Sequence, residues 1–241
     1  MHRKFLTSTF FLFLLIFSMG YTTHVPSLAS RSVNPRIGSP AKIRLLKQRT
    51  RTNLINYLIE KNQYETYLEV GVADGDNFCQ IQIAHKDGVD PGGGHANYAM
   101  TSDDFFAQNT KTYDIIFIDG LHLCEQVLRD VDNSLKCVNP GGVIVMHDCL
   151  PTTYEQQLPY PIPGSWNGDV WKAAAQIRMH YPDVHFCVVN MDWGCGILTP
   201  NSDQILYPAV SFQDLDWNYF VKHRYALLNV VTLENWLNSQ K

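Results

Sequence analysis

Acidic and imidazole side chains follow two apolar stretches of the sequence, at the points where each stretch ends. Asp119 and His122 follow the stretch YDIIFI, and His147 and Asp148 follow the stretch VIVM. As neighbouring parallel strands, the two stretches would bring their carboxyl ends together, where ligands bind in open α/β sheets. Carboxylate and imidazole groups suit a divalent metal ion, and an imidazole can also deprotonate a hydroxyl group. We therefore expect these four residues to form one site.

A glycine-containing loop comes earlier in the chain. In YLEVGVADGD, Glu69 lies near the end of an apolar strand, and Gly71 and Gly75 lie in the turn after it. Dinucleotide-binding loops have the spacing G-x-G-x-x-G and hold a pyrophosphate. Here the spacing is E-x-G-x-x-x-G, and Asp74 and Asp76 would repel a pyrophosphate but tolerate a sulfonium or an ammonium. The loop therefore disfavours an NAD-dependent oxidoreductase.

Three further polar residues lie where the sequence predicts the ends of other elements. Asp90 ends the predicted second strand, a position that holds ribose hydroxyls in Rossmann-like folds. Ser102 and Asp103 begin the predicted helix within MTSDDFF. Ser102 suits an N-cap and Asp103 suits the first helical turn. Capping and a contact to an adenine base remain equally good interpretations of Ser102.

Strands and helices alternate along the rest of the chain, which predicts an α/β fold with a mostly parallel sheet. A tight turn at residues 192–194 joins the last two strands and predicts an antiparallel hairpin at the edge of the sheet. The predicted helices cover residues 41–61, 78–84, 121–137, 168–180 and 232–239, and the predicted strands cover residues 67–69, 86–91, 113–120, 143–148, 184–191 and 194–199.

Composition excludes some classes of protein. The chain of 241 residues has a net charge of −4 and no basic stripe in its body, which argues against a nucleic-acid-binding groove. Its 6 cysteines form no C-x-x-C pair, so we expect reduced thiols rather than disulfides or a zinc site. The length suits one catalytic domain at residues 41–241, preceded by a linker at residues 21–40.

Residues 1–20 form a hydrophobic segment whose role stays open. Residues 5–19 fit a signal-peptide core or a short anchor, and translation could also begin at Met19. More basic residues come after the segment than before it, which predicts that the catalytic domain faces the cytoplasm, tethered to the inner membrane face or free. Export through a cleaved signal is the alternative. The basic residues are Arg3 and Lys4 before the segment, and Arg31, Arg36, Lys42, Arg44, Lys47, Arg49 and Arg51 after it.

Taken together in order, these motifs resemble the class I S-adenosylmethionine (SAM)-dependent methyltransferases, in particular a small bacterial group with an IDG-x-H…HD pattern that is similar to sugar and small-molecule O-methyltransferases. The segments that carry the resemblance are YLEVGVADGD, GVDP, MTSDDFF, YDIIFIDGLHLCEQVLRDVDNSL, NPGGVIVMHDCLP and NGDVWKA, over about residues 54–200. The resemblance implies a Rossmann-like, seven-stranded sheet with one antiparallel strand and helices on both faces.

The resemblance also implies roles for particular residues. Cofactor contacts fall on Glu69, Gly71, Gly75, Asp90, Ser102, Asp103 and Asp119, and Mg²⁺ or another divalent metal would bind Asp119 and Asp148. Some relatives have a second acid where this chain has His147, so the metal is an open point.

The predicted reaction is transfer of a methyl group from SAM to a hydroxyl of a small molecule or saccharide, with His122, His147 and Asp148 as catalytic residues. Trp166 and Trp171 suit a sugar or aromatic acceptor. A metal-dependent hydrolase that uses the Asp/His cluster and a non-catalytic SAM-binding module are the alternatives. A second copy of the chain, in a homo-oligomer, is a further candidate partner.

Overall fold

The computed structural model describes residues 39–240. The predicted hydrophobic segment and almost all of the predicted linker lie outside these residues. Within them, no helix has the length and apolar character needed to cross a membrane. The strands are β1 (Thr66–Val70), β2 (His85–Val89), β3 (Tyr113–Ile118), β4 (Val138–Met146), β5 (Val184–Val189), β6 (Cys195–Pro200) and β7 (Val230–Val231), and the α-helices are α1 (Pro40–Lys47), α2 (Arg51–Asn62), α3 (Ser102–Gln108), α4 (Cys124–Cys137), α5 (Val170–His180), α6 (Trp217–Leu227) and α7 (Leu233–Ser239).

The strands form one seven-stranded sheet in the order β2-β1-β3-β4-β6-β5-β7. β6 runs antiparallel to both β4 and β5, whereas the other pairs are parallel. The predicted α/β fold with seven strands and one antiparallel strand is therefore confirmed. The hairpin of β5 and β6 lies toward one side of the sheet, and the two-residue β7 pairs with β5 beyond it.

Apolar residues cover both faces of the sheet. On one face, Val131 of α4, Trp171 of α5 and Phe220 of α6 are fully buried in one cluster. On the other face, Leu54 of α2 and Trp236 of α7 belong to a second cluster. Burying apolar surface on both sides is the main stabilising contribution to such a layered fold. Helices on both faces were predicted and are present.

The predicted helix over residues 41–61 is in fact two helices. The hydroxyl of Thr50 accepts a hydrogen bond of 3.3 Å from the backbone N–H of Asn53 and so caps the start of α2. Gln48 has an extended backbone, which ends α1. A threonine before a polar first turn is a helix-start signal, and it separates the two apolar patterns here.

Two other predicted helix boundaries were wrong. A helix was predicted over residues 78–84, but only a 3₁₀ turn at Phe78–Gln80 is present there. The buried side chain of Asn56 bonds the next backbone groups, accepting from the N–H of Gln82 at 2.7 Å and donating to the carbonyl of Gln80 at 3.1 Å. Helix α3 is capped by the hydroxyl of Thr101 rather than by Ser102, which is its first helical residue.

The cysteines match the expectation of reduced thiols. All six lie in the described part of the chain and are free, five of them buried and Cys79 exposed.

Candidate active site

The polar residues singled out in the sequence lie at the carboxyl ends of adjacent parallel strands. Glu69 and Gly71 are at the end of β1, Asp90 follows β2, and Asp119 follows β3. His147 and Asp148 follow β4, which pairs directly with β3. The predicted neighbourhood of the two acid-and-imidazole strand ends is therefore present in the structure.

Asp119, His122, His147 and Asp148 form one cluster. His147 Nδ1 lies 3.2 Å from Asp119 Oδ1 and 3.4 Å from Asp148 Oδ1. The two ring nitrogens of His122 face different carboxylates, with Nε2 3.4 Å from Asp119 Oδ1 and Nδ1 3.3 Å from Asp148 Oδ2. Each imidazole therefore links both aspartates.

This arrangement favours the charged forms of the cluster. Burial lowers the pKa of His147, but the neighbouring carboxylate of Asp119 outweighs burial and holds that pKa well above its usual value. Burial also opposes ionisation of Asp119, yet His147, His122 and Arg51 lower its pKa. The pKa of His122 is raised, because hydrogen bonding to Asp119 and the charge of Asp148 outweigh burial. His147 is 4% exposed and lies between the two acids.

The loop after β4 places two more residues against the cluster. Asn167 is buried and donates a hydrogen bond of 2.6 Å from Nδ2 to Asp148 Oδ1. Trp166 stacks on the ring of His122 at a centroid distance of 5.0 Å, and its carbonyl lies 3.0 Å from His122 Nδ1. The predicted role for Trp166 near the acceptor fits this position. The expectation for Trp171 was wrong, because its side chain is fully buried in the core.

Three of the residues have the arrangement of a metal site. Asp119, His122 and Asp148 each offer one ligand atom, and these atoms all lie within 4.8 Å of one another. Two carboxylates and one imidazole are a donor set that divalent cations accept. The donors present thus fit the predicted metal, with His122 as a third ligand that the sequence prediction of Asp119 and Asp148 did not include.

Arg51 and Asp192 also belong to the site, and sequence reasoning missed both. Asp192 lies in the turn between β5 and β6, and its Oδ2 accepts a hydrogen bond of 2.6 Å from the backbone N–H of Arg51. Arg51 Nε lies 3.5 Å from Asp119 Oδ2, and Arg51 Nη1 lies 3.4 Å from His147 Nε2. In the sequence, Arg51 was considered only as one of the basic residues after the hydrophobic segment. The only available signal was its position at the start of a helix.

Glu69 has a buried environment of polar neighbours. Its Oε2 accepts hydrogen bonds from the hydroxyl of Tyr67 and, at 2.9 Å, from Asn77 Nδ2. Burial raises the pKa of Glu69 to about 7, against these hydrogen bonds, which lower it. The Thr52 hydroxyl in turn donates to Asn77 Oδ1 at 2.7 Å. Helix α2 therefore helps to orient Glu69 near the end of β1.

The glycines of the loop are required by packing within the protein as well as by the close approach of a ligand. Gly71 has φ +90°, and a Cβ there would overlap the carbonyl oxygen of Asp119. Gly75 has φ +86°, and a Cβ there would lie 2.6 Å from the ring of His95. Such a backbone conformation is open to glycine at little cost. The loops after β1 and β3 can lie against each other only because Gly71 has no side chain.

Asp90 holds the glycine loop in place. Its Oδ2 accepts from the backbone N–H of Ala73 at 2.8 Å, and its Oδ1 accepts from that of Gly92 at 2.7 Å. Each carboxylate oxygen has a second lone pair, so Asp90 can still accept a hydrogen bond from a ligand hydroxyl.

Ser102 and Asp103 lie together at the start of α3. Gln126 of α4 donates from Nε2 to Ser102 Oγ at 3.1 Å and to Asp103 Oδ1 at 3.2 Å. Gln126 is a further wall residue that the sequence analysis did not single out.

Two adjoining cavities connect these groups. The larger cavity has a volume of about 520 Å³, and its walls include Asp90, Ser102, Asp103 and Gln126. This volume is typical of a small-molecule site. The smaller cavity, of about 300 Å³, contains Arg51, Glu69, Asn77, Asp148 and Trp193 in its walls. Gly71, Ala73, Asp119, His122 and Trp166 line both cavities. The Asp/His cluster therefore stands at the junction between the two spaces.

Residues 57–149 match the model of a family described as a methyltransferase domain. The matched range contains Glu69, Asp90, Asp119 and the pair His147 and Asp148. The match agrees with the resemblance stated from the motifs: this part of the chain is similar to a methyltransferase domain. It also favours methyl transfer over the hydrolase.

Solved structures with a similar fold include methyltransferases from a fungus and two bacteria. PaMTH1 of Podospora anserina, with S-adenosylhomocysteine (SAH) bound, has 13% identity and a TM-score of 0.47, covering 62% of this chain and 77% of its own. TomG of Streptomyces achromogenes, in complex with SAM, has 14% identity and a TM-score of 0.47, covering 63% and 80%. An O-methyltransferase of Bacillus cereus in complex with SAH has 14% identity and a TM-score of 0.43, covering 67% and 80%. No curated protein matches the chain.

Proposed function

We propose that the protein transfers a methyl group from SAM to a hydroxyl group of a small molecule or sugar, assisted by a divalent cation at Asp119, His122 and Asp148. The observation that carries this proposal is the position of Asp119 and His122, which line both adjoining cavities. One cavity can hold a nucleoside while the other receives an acceptor, and the titratable cluster lies between them.

The larger cavity fits the adenosine part of SAM. Asp90 can accept from ribose hydroxyls, and Ser102 and Asp103 can contact the adenine edge. Leu121 is 52% exposed and offers an apolar surface to a flat base. The methionyl end would extend past Gly71 toward Glu69, whose carboxylate can accept hydrogen bonds from an ammonium group.

The smaller cavity fits an acceptor with a flat or ring-shaped body. Trp166 and Trp193 line it, and Trp193 is 38% exposed. Aromatic side chains supply large contact area for sugar rings and aromatic groups. Asp148 and His122 lie in the same wall, within reach of a hydroxyl that such a ring would carry.

The residues of the chain then have distinct tasks. SAM supplies a methyl group on a sulfonium, and the new O–C bond forms as the S–C bond breaks and its electron pair returns to sulfur. A cation at the cluster would lower the pKa of the acceptor hydroxyl. The proton of that hydroxyl passes to the carboxylate of Asp148, and Trp166 restricts access of water. We assign His147, held by both aspartates, to positioning them. Alignment of the reacting atoms is the main source of acceleration.

We also propose that this reaction takes place in the cytoplasm, where SAM is made. The tether through residues 5–19 and the oligomeric state stay predictions.

Titration calorimetry with SAM tests the proposal. We expect the purified chain to bind SAM or SAH with micromolar affinity, which corresponds to about −8 kcal/mol. NAD is the matched control ligand, and it should produce no binding heat because the loop acids Asp74 and Asp76 repel a pyrophosphate. Absence of SAM and SAH binding at millimolar ligand would contradict the proposed function and leave the cluster to a hydrolase.

The metal assistance has its own test. Chelation with EDTA should abolish transfer of a labelled methyl group from SAM to the small molecules in a cell extract, and added Mg²⁺ or Mn²⁺ should restore this transfer. Full activity after chelation would show that Asp148 and His122 act without a metal.

A further inference from the structure

Arg51 is the only lysine or arginine in the walls of the two cavities, within the described residues. Its backbone N–H is fixed by Asp192, so the first turn of α2 is held against the hairpin. Its side chain is 31% exposed, on the side of the smaller cavity. The guanidinium is therefore a positive charge at a fixed place in the wall.

The hydrogen-bonding capacity of this guanidinium is largely unused. Its Nη1 lies 3.6 Å from Asp192 Oδ2, and its Nε lies 3.5 Å from Asp119 Oδ2 without forming a hydrogen bond. Its Nη1 also lies 3.4 Å from His147 Nε2, which can accept a hydrogen bond only when that nitrogen carries no proton. A guanidinium has five N–H donors in a fork that matches a carboxylate. Most of the donors of Arg51 thus remain available to a ligand.

The charge of the cavity indicates which ligand group these donors would bind. The wall contains the acids Glu69, Asp74, Asp76, Asp119 and Asp148. These acids attract the sulfonium and ammonium of SAM but repel its carboxylate, which needs a cation in reach. Arg51 and Glu69 line the same cavity. A guanidinium fork and a carboxyl group in one cavity wall match the carboxylate and the ammonium of an amino acid.

We propose that Arg51 binds the α-carboxylate at the methionyl end of SAM and SAH, while Glu69 binds the neighbouring ammonium. This inference rests on the proposed function and adds a cofactor-binding residue outside the part of the chain that matches the methyltransferase family. Helix α2 would then place the positive charge of Arg51 in a cavity that is lined by acidic side chains.

Two ligands that differ in one group provide the test. SAH carries the carboxylate, and its decarboxylated analogue, adenosyl-3-thiopropylamine, keeps the adenosine and the amine. Binding of both is measured by calorimetry to the full chain, to Arg51→Met and to Arg51→Lys. The matched control is Arg49→Met, which removes a neighbouring arginine that pairs with Glu234 at the surface.

Arg51→Met should weaken the binding of SAH about 10- to 100-fold and change the binding of the analogue by less than about 3-fold, because only SAH loses a charge-assisted contact. Arg51→Lys should lose less, and Arg49→Met should match wild type for both ligands. If Arg51→Met changes the affinity for the two ligands equally, or changes neither, the inference is overturned. The proposed function would still stand in that case, provided that the wild-type protein binds SAM.

If Arg51→Met does not fold, the inference can still be tested with the wild-type protein alone. It must bind the decarboxylated analogue at least about 10-fold more weakly than SAH. Equal binding of the two ligands by wild type overturns the assignment to a carboxylate. Failure of wild type to bind either ligand would instead contradict the proposed function itself.

Discussion

Glu69 links the protonation state of the site to cofactor binding. Its pKa of about 7 in the ligand-free protein comes from burial, so the carboxyl is mostly protonated at pH 6 and mostly ionised at pH 8. A ligand ammonium binds the ionised form and lowers this pKa. SAH affinity should therefore rise about 10-fold from pH 6 to pH 8 and then level off.

Calorimetry across this pH range measures the effect, and buffers with different ionisation enthalpies reveal the proton that binding releases. Glu69→Gln keeps a neutral side chain of similar shape and should remove the pH dependence. A pH profile for Glu69→Gln that follows wild type would assign the titration to another group.

Asp148 should serve the acceptor side and not the cofactor. Asp148→Asn keeps an oxygen for the hydrogen bond from Asn167 but loses the negative charge that faces His122. We expect SAM affinity within about 3-fold of wild type and methyl transfer to an extract reduced at least 100-fold. Asp203→Asn, at an exposed position, is the matched control. Equal loss of both properties would place Asp148 in the cofactor pocket.

The residues of the cluster were predictable because strand ends are local patterns. Asp119, His122, His147 and Asp148 each follow an apolar run that can be identified without knowing its neighbours. Arg51 and Asp192 could not be found in this way, since 141 positions separate them and only the folded chain brings them into contact. Long-range polar contacts of this kind have no periodic signal in a sequence.

At the scale of elements, the packing of the β1 loop against the β3 loop depends on Gly71. Gly71→Ala should lower the free energy of unfolding by about 3 kcal/mol, because it adds an overlap with the Asp119 carbonyl to the strain of a positive φ. Gly164→Ala is the matched control, since Gly164 has the same φ of +90° and nothing within 4 Å of its Cβ position. It should cost only about 1 kcal/mol.

Urea unfolding of the two variants measures the difference. Equal losses would mean that backbone strain alone explains the glycine and that the loops can move apart. The comparison also revises the reason for the sequence motif, because the space beside Gly71 belongs to the neighbouring loop and not only to a ligand.

Elements with long, regular patterns were predictable, and short or mixed ones were not. β3 and β4 are apolar runs, and α4 repeats its buried residues at helical spacing. β7 has two residues, too few for any period to appear. α6 was missed because only Phe220 and Leu227 of its eleven residues are buried. The break between α1 and α2 depends on the cap of Thr50, a local contact inside an otherwise helical pattern.

At the scale of the whole molecule, the sheet order explains why one edge carries the chemistry. β1, β3 and β4 lie side by side, so their carboxyl ends bring Glu69, Asp119 and His147 to one edge. β5 runs in the same direction as β4, so the turn with Asp192 at its end lies at the same edge, and the antiparallel β6 leads the chain away from it. Parallel strands and one reversal together assemble a site from parts that are distant in sequence.

The location of the catalytic domain is a property of the whole chain. Residues 5–19 are apolar enough to enter a membrane, yet the basic residues between Arg31 and Arg51 oppose translocation of the domain on their C-terminal side. The free thiols of all six cysteines suit a reducing compartment. A domain outside the cell would also lack a supply of SAM. We therefore predict that the catalytic domain faces the cytoplasm, with or without a tether.

A pair of C-terminal reporters measures this location directly: a fluorescent protein that folds only in the cytoplasm, and a phosphatase that is active only outside it. Fluorescence without phosphatase activity is the expected result, and replacing the seven basic residues between Arg31 and Arg51 with glutamine should weaken that preference if they hold the domain inside. Phosphatase activity without fluorescence would show export. Because an exported enzyme would need a methyl donor outside the cell, that result would count against the SAM-dependent reaction as well as against the predicted location.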